Sequence, residues 1–452
     1  MQQPREIDVE ESQQIVERVA GIDVAKATGT VCTRVPHGSV AGRRVTKVWE
    51  VKATTKGLVE LADHLLAARI ERVVLESTSD YWRCFFYILE GAGLEVWLVN
   101  AKQVKNVPGR PKTDKLDAVW LAKLAERSML SASFVPAEAM RHVRDLARAR
   151  FDLVEDRSRV KQRVEKLLED ALIKIGSVLT DIHGVSGRAI LEALIAGERD
   201  PKVLAGLAKA RARARLGDLA EAADGRFSDH HARLARLLLD QSDDLARRIE
   251  QVTALLDDAI AALEAPRGAP MSATVDPETG EIIPAAEAYT SAVKRISAIP
   301  GAGADTARAV IGEIGLDMAV FGTSPRLCSW AKVSPRSVQS GRKTGRGATG
   351  KGNPYLKAAL GQMAMGAAKT DTFLGARYRR LAKRMPKAKA LAALQRSILV
   401  VIFELLADPT ATYSDLGADY HDKRIDKTRR TRSLISQLEA LGHTVTLTAA
   451  AA

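Results

Sequence analysis

The amino-acid sequence predicts an α/β domain at the N-terminal end of the chain and all-α architecture beyond it. Three observations point there. Short apolar runs alternate with stretches of helical spacing in the first third, a seven-residue apolar recurrence fills the middle, and an apolar helix end later runs through a glycine turn into a new helix. Val19 to Val24 and Thr28 to Val35 read as a hairpin of strands, with Val45 to Val51 as a third. Leu58 to Ala68 has helical spacing behind the capping pair Thr54 and Thr55. Arg72 to Leu75 reads as a buried strand, Tyr81 to Leu89 as an amphipathic helix, and Leu94 to Val99 as another strand.

Three β elements followed by helix, strand, helix and strand is the order of the ribonuclease H-like fold. In that fold the first and fourth strands are neighbours, so Asp23 and Glu76, each ending an apolar run, would face one another. Asp114 and Asp117 follow the breaker-rich Pro108-Gly109-Arg110-Pro111 and head a helical pattern, where a spacing of three puts both on one face. Carboxylates gathered in this way cannot all stay ionised without a cation. Mg²⁺ is the natural choice, because it takes oxygen ligands together with waters and phosphates. Each residue also has a plainer reading: a turn Asp for Asp23, a solvated strand end for Glu76, and a dipole-favoured first turn for Asp114 and Asp117. Only the combination points to a metal.

From about Ala137 to Leu263 the pattern is helical. Leu146, Leu153, Val160 and Leu167 recur every seven residues, and Leu245, Ile249, Val252, Leu256 and Leu263 form a second stripe. Two such helices pair as an antiparallel hairpin or cross to another subunit. Between them stand Arg211-Ala212-Arg213-Ala214-Arg215 and a His230-His231 pair, which reads as structural because no further ligand spacing accompanies it. Ala265 to Ala286, with Asp276-Pro277-Glu278-Thr279-Gly280, reads as a linker or an exposed hairpin. Ile296 to Ala307 then has the helix-hairpin-helix pattern, in which backbone N–H groups around Gly301 and Gly303 hold a phosphate without reading a base.

The run from Ser334 to Lys357 follows. Glycines alternate there with Arg336, Arg342, Lys343, Arg346, Lys351 and Lys357, with Asn353 among them, so the backbone can approach a phosphate chain that the side chains neutralise. A solvated, flexible loop is the plain alternative. The helix beyond it, carrying basic residues from Arg377 to Arg396, extends the surface. A serine in such a loop is a candidate nucleophile, but chemistry alone does not separate Ser340 from Ser334 or Ser337.

At 452 residues the chain has room for two or three domains. Its net charge of +13 and pI near 9.6 favour polyanionic partners, nucleic acid first among them. Aromatics make up only 4%, which limits any base-stacking surface. Cys32, Cys84 and Cys328 are odd in number and far apart, so they form neither a disulfide framework nor a Cys-x-x-Cys zinc site. A reducing, cytoplasmic location fits. The start from Met1 to Glu6 lacks the basic and apolar stretches of a signal peptide, and the most apolar stretch, Ile398 to Ala407, is too short for a bilayer. No membrane partner is expected.

Several separated motifs resemble one family. Gly21-Ile22-Asp23-Val24-Ala25-Lys26, Leu75-Glu76-Ser77-Thr78, Val99-Asn100-Ala101-Lys102, Lys112-Thr113-Asp114 through Asp117-Ala118, Ile299-Pro300-Gly301, Gln339-Ser340-Gly341 and Lys351-Gly352-Asn353-Pro354-Tyr355-Leu356 are similar to those of transposases of insertion-sequence family 110. The resemblance implies a RuvC-like Asp-Glu-Asp-Asp domain over residues 1–135 and a helical coiled-coil connector with insertion and linker over 136–290. It further implies a mainly helical C-terminal transposase domain with helix-hairpin-helix and catalytic serine over 291–410, and a basic tail over 411–452. On matching positions the tetrad is Asp23, Glu76, Asp114 and Asp117, and the serine is Ser340. A structured noncoding bridge RNA that pairs with donor and target DNA is implied as partner. Ser77 and Ser79-Asp80 depart from the usual pattern, and Ile182 to His231 and Ala265 to Ala286 enlarge the connector.

The expected activity is DNA cutting and rejoining for a mobile element, with Mg²⁺ at the tetrad and Ser340 as nucleophile. The enzyme would be a homo-oligomer, dimer or tetramer, with the composite site assembled between subunits. A RuvC-like structure-specific nuclease using water is the competing class. A sugar-kinase-like or actin-like ATPase would need further phosphate loops of Asp-x-Gly-x-Thr type, and none is convincing. A purely nucleic-acid-binding protein would leave the carboxylates structural.

Overall fold

The computed structural model describes residues 16–40, 42–76, 79–100, 114–268, 274–275, 282–283, 290–335, 338–340, 343–345, 347, 349–424 and 427–447. The chain divides into two compact units, Met1–Pro136 and Ala137–Ala452.

In the first unit β1 (Val19–Val24), β2 (Thr28–Pro36) and β3 (Arg44–Lys52) form an antiparallel meander. Then come α1 (Thr55–Ala67), β4 (Arg72–Glu76), α2 (Trp82–Gly91), β5 (Val96–Val99) and α3 (Asp114–Glu126). The sheet order is β3-β2-β1-β4-β5, with β1–β4 and β4–β5 parallel, so the first and fourth strands are adjacent as expected. This is a RuvC/ribonuclease H-like α/β arrangement. Thr54 caps α1 by accepting from the Gly57 N–H, and β5 starts two residues later than its apolar run because Leu94 packs before the ladder begins.

Alternation along the strands gives the sheet two buried faces. Ile22, Val24, Val73 and Leu75 lie on one, with Leu58 and Leu65 of α1 and Phe85 and Leu89 of α2. Val19, Cys32, Val74 and Val99 lie on the other, under Ala118, Leu121, Ala122 and Ala125 of α3. That second face is where the sequence places Asp23 and Glu76.

The second unit is helical. α4 (Glu138–Asp170) runs antiparallel to α8 (Asp229–Gly268): Arg150 Nε donates to Thr253 Oγ1 at 2.7 Å, and at the far end His231 Nε2 meets Asp170 Oδ2 at 3.1 Å. His231 is thereby used in structure, its Nδ1 lying 2.8 Å from Ser228 Oγ. Of the heptad residues Val160 is fully buried, while Leu146, Leu153 and Leu167 are half-buried. Between the long helices α5 (Val185–Ile195), α6 (Pro201–Gly206), a 3₁₀ turn (Ala210–Arg215) and α7 (Leu216–Ala223) surround their own core. β6 (Thr274–Val275) and β7 (Ile282–Ile283) pair antiparallel, so the Ala265 to Ala286 segment contains a hairpin; Asp276 to Gly280 lies outside the described residues.

Beyond it come α9 (Ala292–Ser297), α10 (Ala304–Ile314), α11 (Ser324–Trp330), the hairpin β8 (Val338–Ser340) and β9 (Lys343–Gly345), and α12 (Pro354–Ala367). α13 (Phe373–Ala382), α14 (Lys387–Ala407), α15 (Tyr420–Lys423) and α16 (Lys427–Ala440) complete the chain. The basic residues from Arg377 to Arg396 therefore lie on two helices rather than one, broken at Pro386, which precedes α14 where proline would disrupt a helix interior. The apolar stretch read as Ile398 to Ala407 also needs correction. α14 has 21 residues and is, by length and composition alone, long and apolar enough to cross a membrane. Here Ala390, Leu394, Ile398, Leu399 and Ile402 are fully buried, and the helix packs on α11, α12 and α13.

Candidate functional site

The carboxylates are placed by backbone register. β1 and β4 pair in parallel from Val19 with Arg72 to Ile22 with Leu75, and the next residue on each strand is Asp23 and Glu76. Ile22 and Leu75 point into the core with α1 and α2, so alternation turns Asp23 and Glu76 to the α3 face. Glu76 is buried, 6% exposed, and Asp23 is half-buried.

α3 lies across that face with a fixed direction. Its last residue, Glu126, accepts the Val16 N–H at its carbonyl, and its carboxylate holds Arg34 of β2 at 2.7 Å and Arg44 of β3 at 2.8 Å. Its middle rests on Gly21, where a Cβ would lie 2.5 Å from the Ala122 nitrogen, 2.6 Å from the Ala118 oxygen and 2.9 Å from Leu121 Cβ. The helix thus runs opposite to β1, so its head, with Asp114 first and half-buried Asp117 one turn on, lies toward the Asp23 end. Only a glycine permits this approach. Neither Gly21 nor the Glu126 clip was evident as a positioning device in the sequence. The signal was present in Gly21, the small residue two before Asp23, but its partner lies about a hundred positions away.

Among the described residues no group of three or more His, Cys, Asp or Glu side chains could hold a metal ion; the Asp114 side chain is outside that set. The donor chemistry is nonetheless all-oxygen, which suits Mg²⁺. Cys32, on the same sheet face, is buried and its thiol is pushed up to about 11 by that burial. Cys328 is raised by burial too, so neither is a nucleophile at neutral pH.

In the second unit Ser340 ends β8 and pairs in register with Lys343, the first residue of β9. β8 and β9, which lie within the basic run, therefore pair as a short antiparallel hairpin. Arg336, Ser337, Arg342 and Arg346 lie outside the described residues. Ser334 is engaged: its Oγ accepts from Arg396 Nε at 3.2 Å. After the hairpin, Gly352 takes φ +63°, where a Cβ would meet the Ala331 oxygen at 2.8 Å. Lys357 Nζ donates to the Gly350 carbonyl at 2.6 Å, and desolvation holds its pKa below the usual lysine range. Lys351 is exposed.

Asn353 and Glu313 form a network that no sequence motif flagged. Asn353 Oδ1 accepts from the Tyr355 N–H at 3.0 Å and the Leu356 N–H at 3.3 Å, capping α12, while its Nδ2 donates to Glu313 Oε2. Glu313 is 1% exposed. Arg148 of α4 grips it through two bonds, Nε to Oε1 at 2.7 Å and Nη2 to Oε2 at 2.9 Å, which raises the pKa of the guanidinium. Arg144 donates to the Gly312 and Glu313 carbonyls at 3.2 and 2.6 Å. The amide of Asn353 is thus occupied inside the protein. A lone acid on the apolar face of α10 and an Arg pair four apart on α4 were the available signals.

The glycine turn before α10 is equally built in. Gly301 has φ +83°, and a Cβ there would lie 2.2 Å from the Ala367 nitrogen of α12. Gly303 caps α10, and its N–H donates to Thr306 Oγ1 at 3.0 Å.

Known proteins bear on both ends of the chain. Residues 20–173 match the family of DEDD transposases of IS110 type, described as transposase, and residues 293–379 match the transposase IS116/IS110/IS902 family. A protein of Sinorhizobium fredii named as transposase y4qE is 30% identical over 158 residues, 34% of this chain. That match spans 38% of the relative's length. Thermus thermophilus RuvC matches 26% of this chain and 99% of its own at 16% identity with a TM-score of 0.21, and RuvC in complex with a Holliday junction does so at 14% and 0.20. The fold rests on the strand order rather than on those scores. With the two family matches following one another along its length, the chain belongs to the IS110 family of transposases.

Proposed function

We propose that this chain is the DNA transposase of a mobile element, cutting and rejoining strands through Ser340 with help from Asp23, Glu76, Asp114 and Asp117. The observation that carries the reading is the meeting of Asp23 and Glu76 at parallel strand ends, on the sheet face crossed by the helix that starts at Asp114. The connector over 136–290 and the C-terminal transposase domain over 291–410 belong to the same reading, as do a bridge RNA and a homo-oligomer. The four carboxylates would hold Mg²⁺, which when bound polarises a scissile phosphate and stabilises its developing charge.

The chain's own residues do the rest. Ser340 Oγ attacks phosphorus, its proton passing to solvent or a neighbouring carboxylate. The bond from phosphorus to a deoxyribose oxygen breaks, that oxygen leaves as a hydroxyl, and a phosphoserine ester remains. Because the ester conserves the phosphodiester bond, attack by another strand's hydroxyl rejoins DNA without ATP. The basic hairpin residues Arg336, Arg342, Lys343 and Arg346, with Lys351, would neutralise the backbone being cut.

The test is a denaturing gel of protein with labelled element-end DNA, Mg²⁺ and copurifying RNA. Ser340→Ala should bind both nucleic acids yet form no covalent adduct, while Ser334→Ala retains it. Free cleaved DNA released by Ser340→Ala at the parental rate would leave a water-using nuclease as the better reading.

A further inference from the structure

The lobe between α4 and α8 has no part in the proposed chemistry, yet it is a built object. Ile190, Leu191, Leu194, Leu204, Leu219 and Phe227 are buried in its core. From residue 201 to residue 217 the chain carries Lys202, Lys209, Arg211, Arg213 and Arg215 with no Asp or Glu. All five are exposed. Two other arginines of the lobe are committed: Arg188 to Glu192 and Asp243, Arg199 to the Leu194 and Glu198 carbonyls. The side chains of Lys202, Lys209, Arg211 and Arg213, by contrast, have no hydrogen-bond or ion-pair partner among the described residues.

The geometry of the turn decides which cations face out. With three residues per 3₁₀ turn, Ala212 and Arg215 share one side. Ala212 packs on the lobe core, and Arg215 reaches back to the Val178 carbonyl and to Asp218, each at 3.0 Å, so that side is inward. Arg211 and Arg213 occupy the other two sides and project from the lobe. The turn is also held in shape. Ser186 Oγ accepts the Lys209 N–H at 2.9 Å, and Ala210 is kept at φ +49°, a left-handed conformation that costs an alanine about 1 kcal/mol. Strain retained at the base of an unpaired basic ridge argues for presentation rather than a solvated coil.

We infer that Lys209, Arg211 and Arg213 form a docking ridge for the sugar-phosphate backbone of a nucleic-acid duplex, engaged without reading sequence. Guanidinium groups match phosphate oxygens in pairs. The residues between them are alanines and the run holds no aromatic side chain, so base stacking has no platform there. The occupant is a DNA duplex, the polyanion on which the proposed transposase acts, and in that respect the inference rests on that reading. The inference does not depend on Ser340.

The experiment uses the full chain carrying Lys209→Ala, Arg211→Ala and Arg213→Ala together, with random-sequence RNA and DNA duplexes of about 30 base pairs as probes and binding followed across KCl concentration. The expected result is a log–log salt slope shallower by about 2 to 3 on the duplex the ridge holds, since each phosphate contact contributes up to about 0.9. A drop on DNA supports the inference, and a drop on RNA alone overturns it. Lys209→Arg with Arg211→Lys and Arg213→Lys keeps the charge and should keep the slope. Arg163→Ala, Arg233→Ala and Arg248→Ala, exposed cations on α4 and α8, remove equal charge elsewhere. An unchanged slope on DNA, or an equal loss in that second triple, overturns the inference.

Discussion

Glu76 and Glu313 are the same residue type at nearly the same depth, 6% and 1% exposed, at two sites that are built differently. Glu313 has two guanidinium neighbours and an amide: Arg148 in a two-point grip, Arg144 alongside, and Asn353 donating from the head of α12. What register brings to Glu76 is acidic, with Asp23 beside it on β1 and the head of α3, bearing Asp114 and Asp117, toward the same end. A buried carboxylate is costly unless matched. The first is matched within the chain and serves to tie α4, α10 and α12 together. The second stands at a strand end beside Asp23, on the sheet face crossed by α3, a placement that suits an external cation.

Breaking the matched site should therefore have the largest effect on stability. Glu313→Ala leaves Arg148 and Arg144 facing an apolar cavity and frees the Asn353 amide, which should cost about 3 kcal/mol in urea unfolding, scaled down from a fully buried pair because Arg148 is 32% exposed. The loss should fall on the transition of the second unit. A change below about 0.5 kcal/mol would mean the network adds nothing beyond a surface ion pair.

Legibility in the sequence follows the same division. The strand order of the first unit could be read because period-two alternation and turn residues are local, and the glutamate and aspartate ending two strands stood out against apolar runs. The approach of α3 to Gly21 could not, because it joins segments about a hundred residues apart through backbone atoms that carry no side-chain signal. The Glu313 network joins α4 to α10 across 165 positions. Similarly, the basic run reads as a loop until the Ser340–Lys343 pairing shows a short hairpin within it, since three-residue strands are too short for a periodicity. The break between α13 and α14 was signalled by Pro386 and was overlooked in favour of the continuous basic charge.

Gly21 tests how tightly the acidic site is built. Gly21→Ala places a Cβ against backbone atoms of α3 that cannot rotate away, so about 2 kcal/mol should be lost in the first unit's unfolding, within the range for overpacked cores. DNA cleavage should fall with it, because α3 carries two of the four carboxylates. Gly303→Ala is the control: its φ of −134° suits any residue, and a Cβ there meets nothing within 4 Å. Equal losses from the two substitutions would refute close approach as the reason for glycine at position 21.

Glu76→Gln should have the smallest effect on stability and the sharpest on function. The amide keeps the volume and removes one negative charge beside Asp23, so urea unfolding should change by less than about 1 kcal/mol, in either direction. Strand cleavage should nevertheless disappear, because a neutral amide is a poor ligand for a hard divalent cation. A second readout separates metal loss from misplacement. On the proposed reading Mg²⁺ would bind the folded state, so it should raise the thermal midpoint of the parental chain in a concentration-dependent way and leave that of Glu76→Gln nearly unmoved. If the variant cleaves at the parental rate and shows the same Mg²⁺-dependent shift, Glu76 is a structural carboxylate and no metal ligand. Its resemblance to a metal ligand would then rest on position alone.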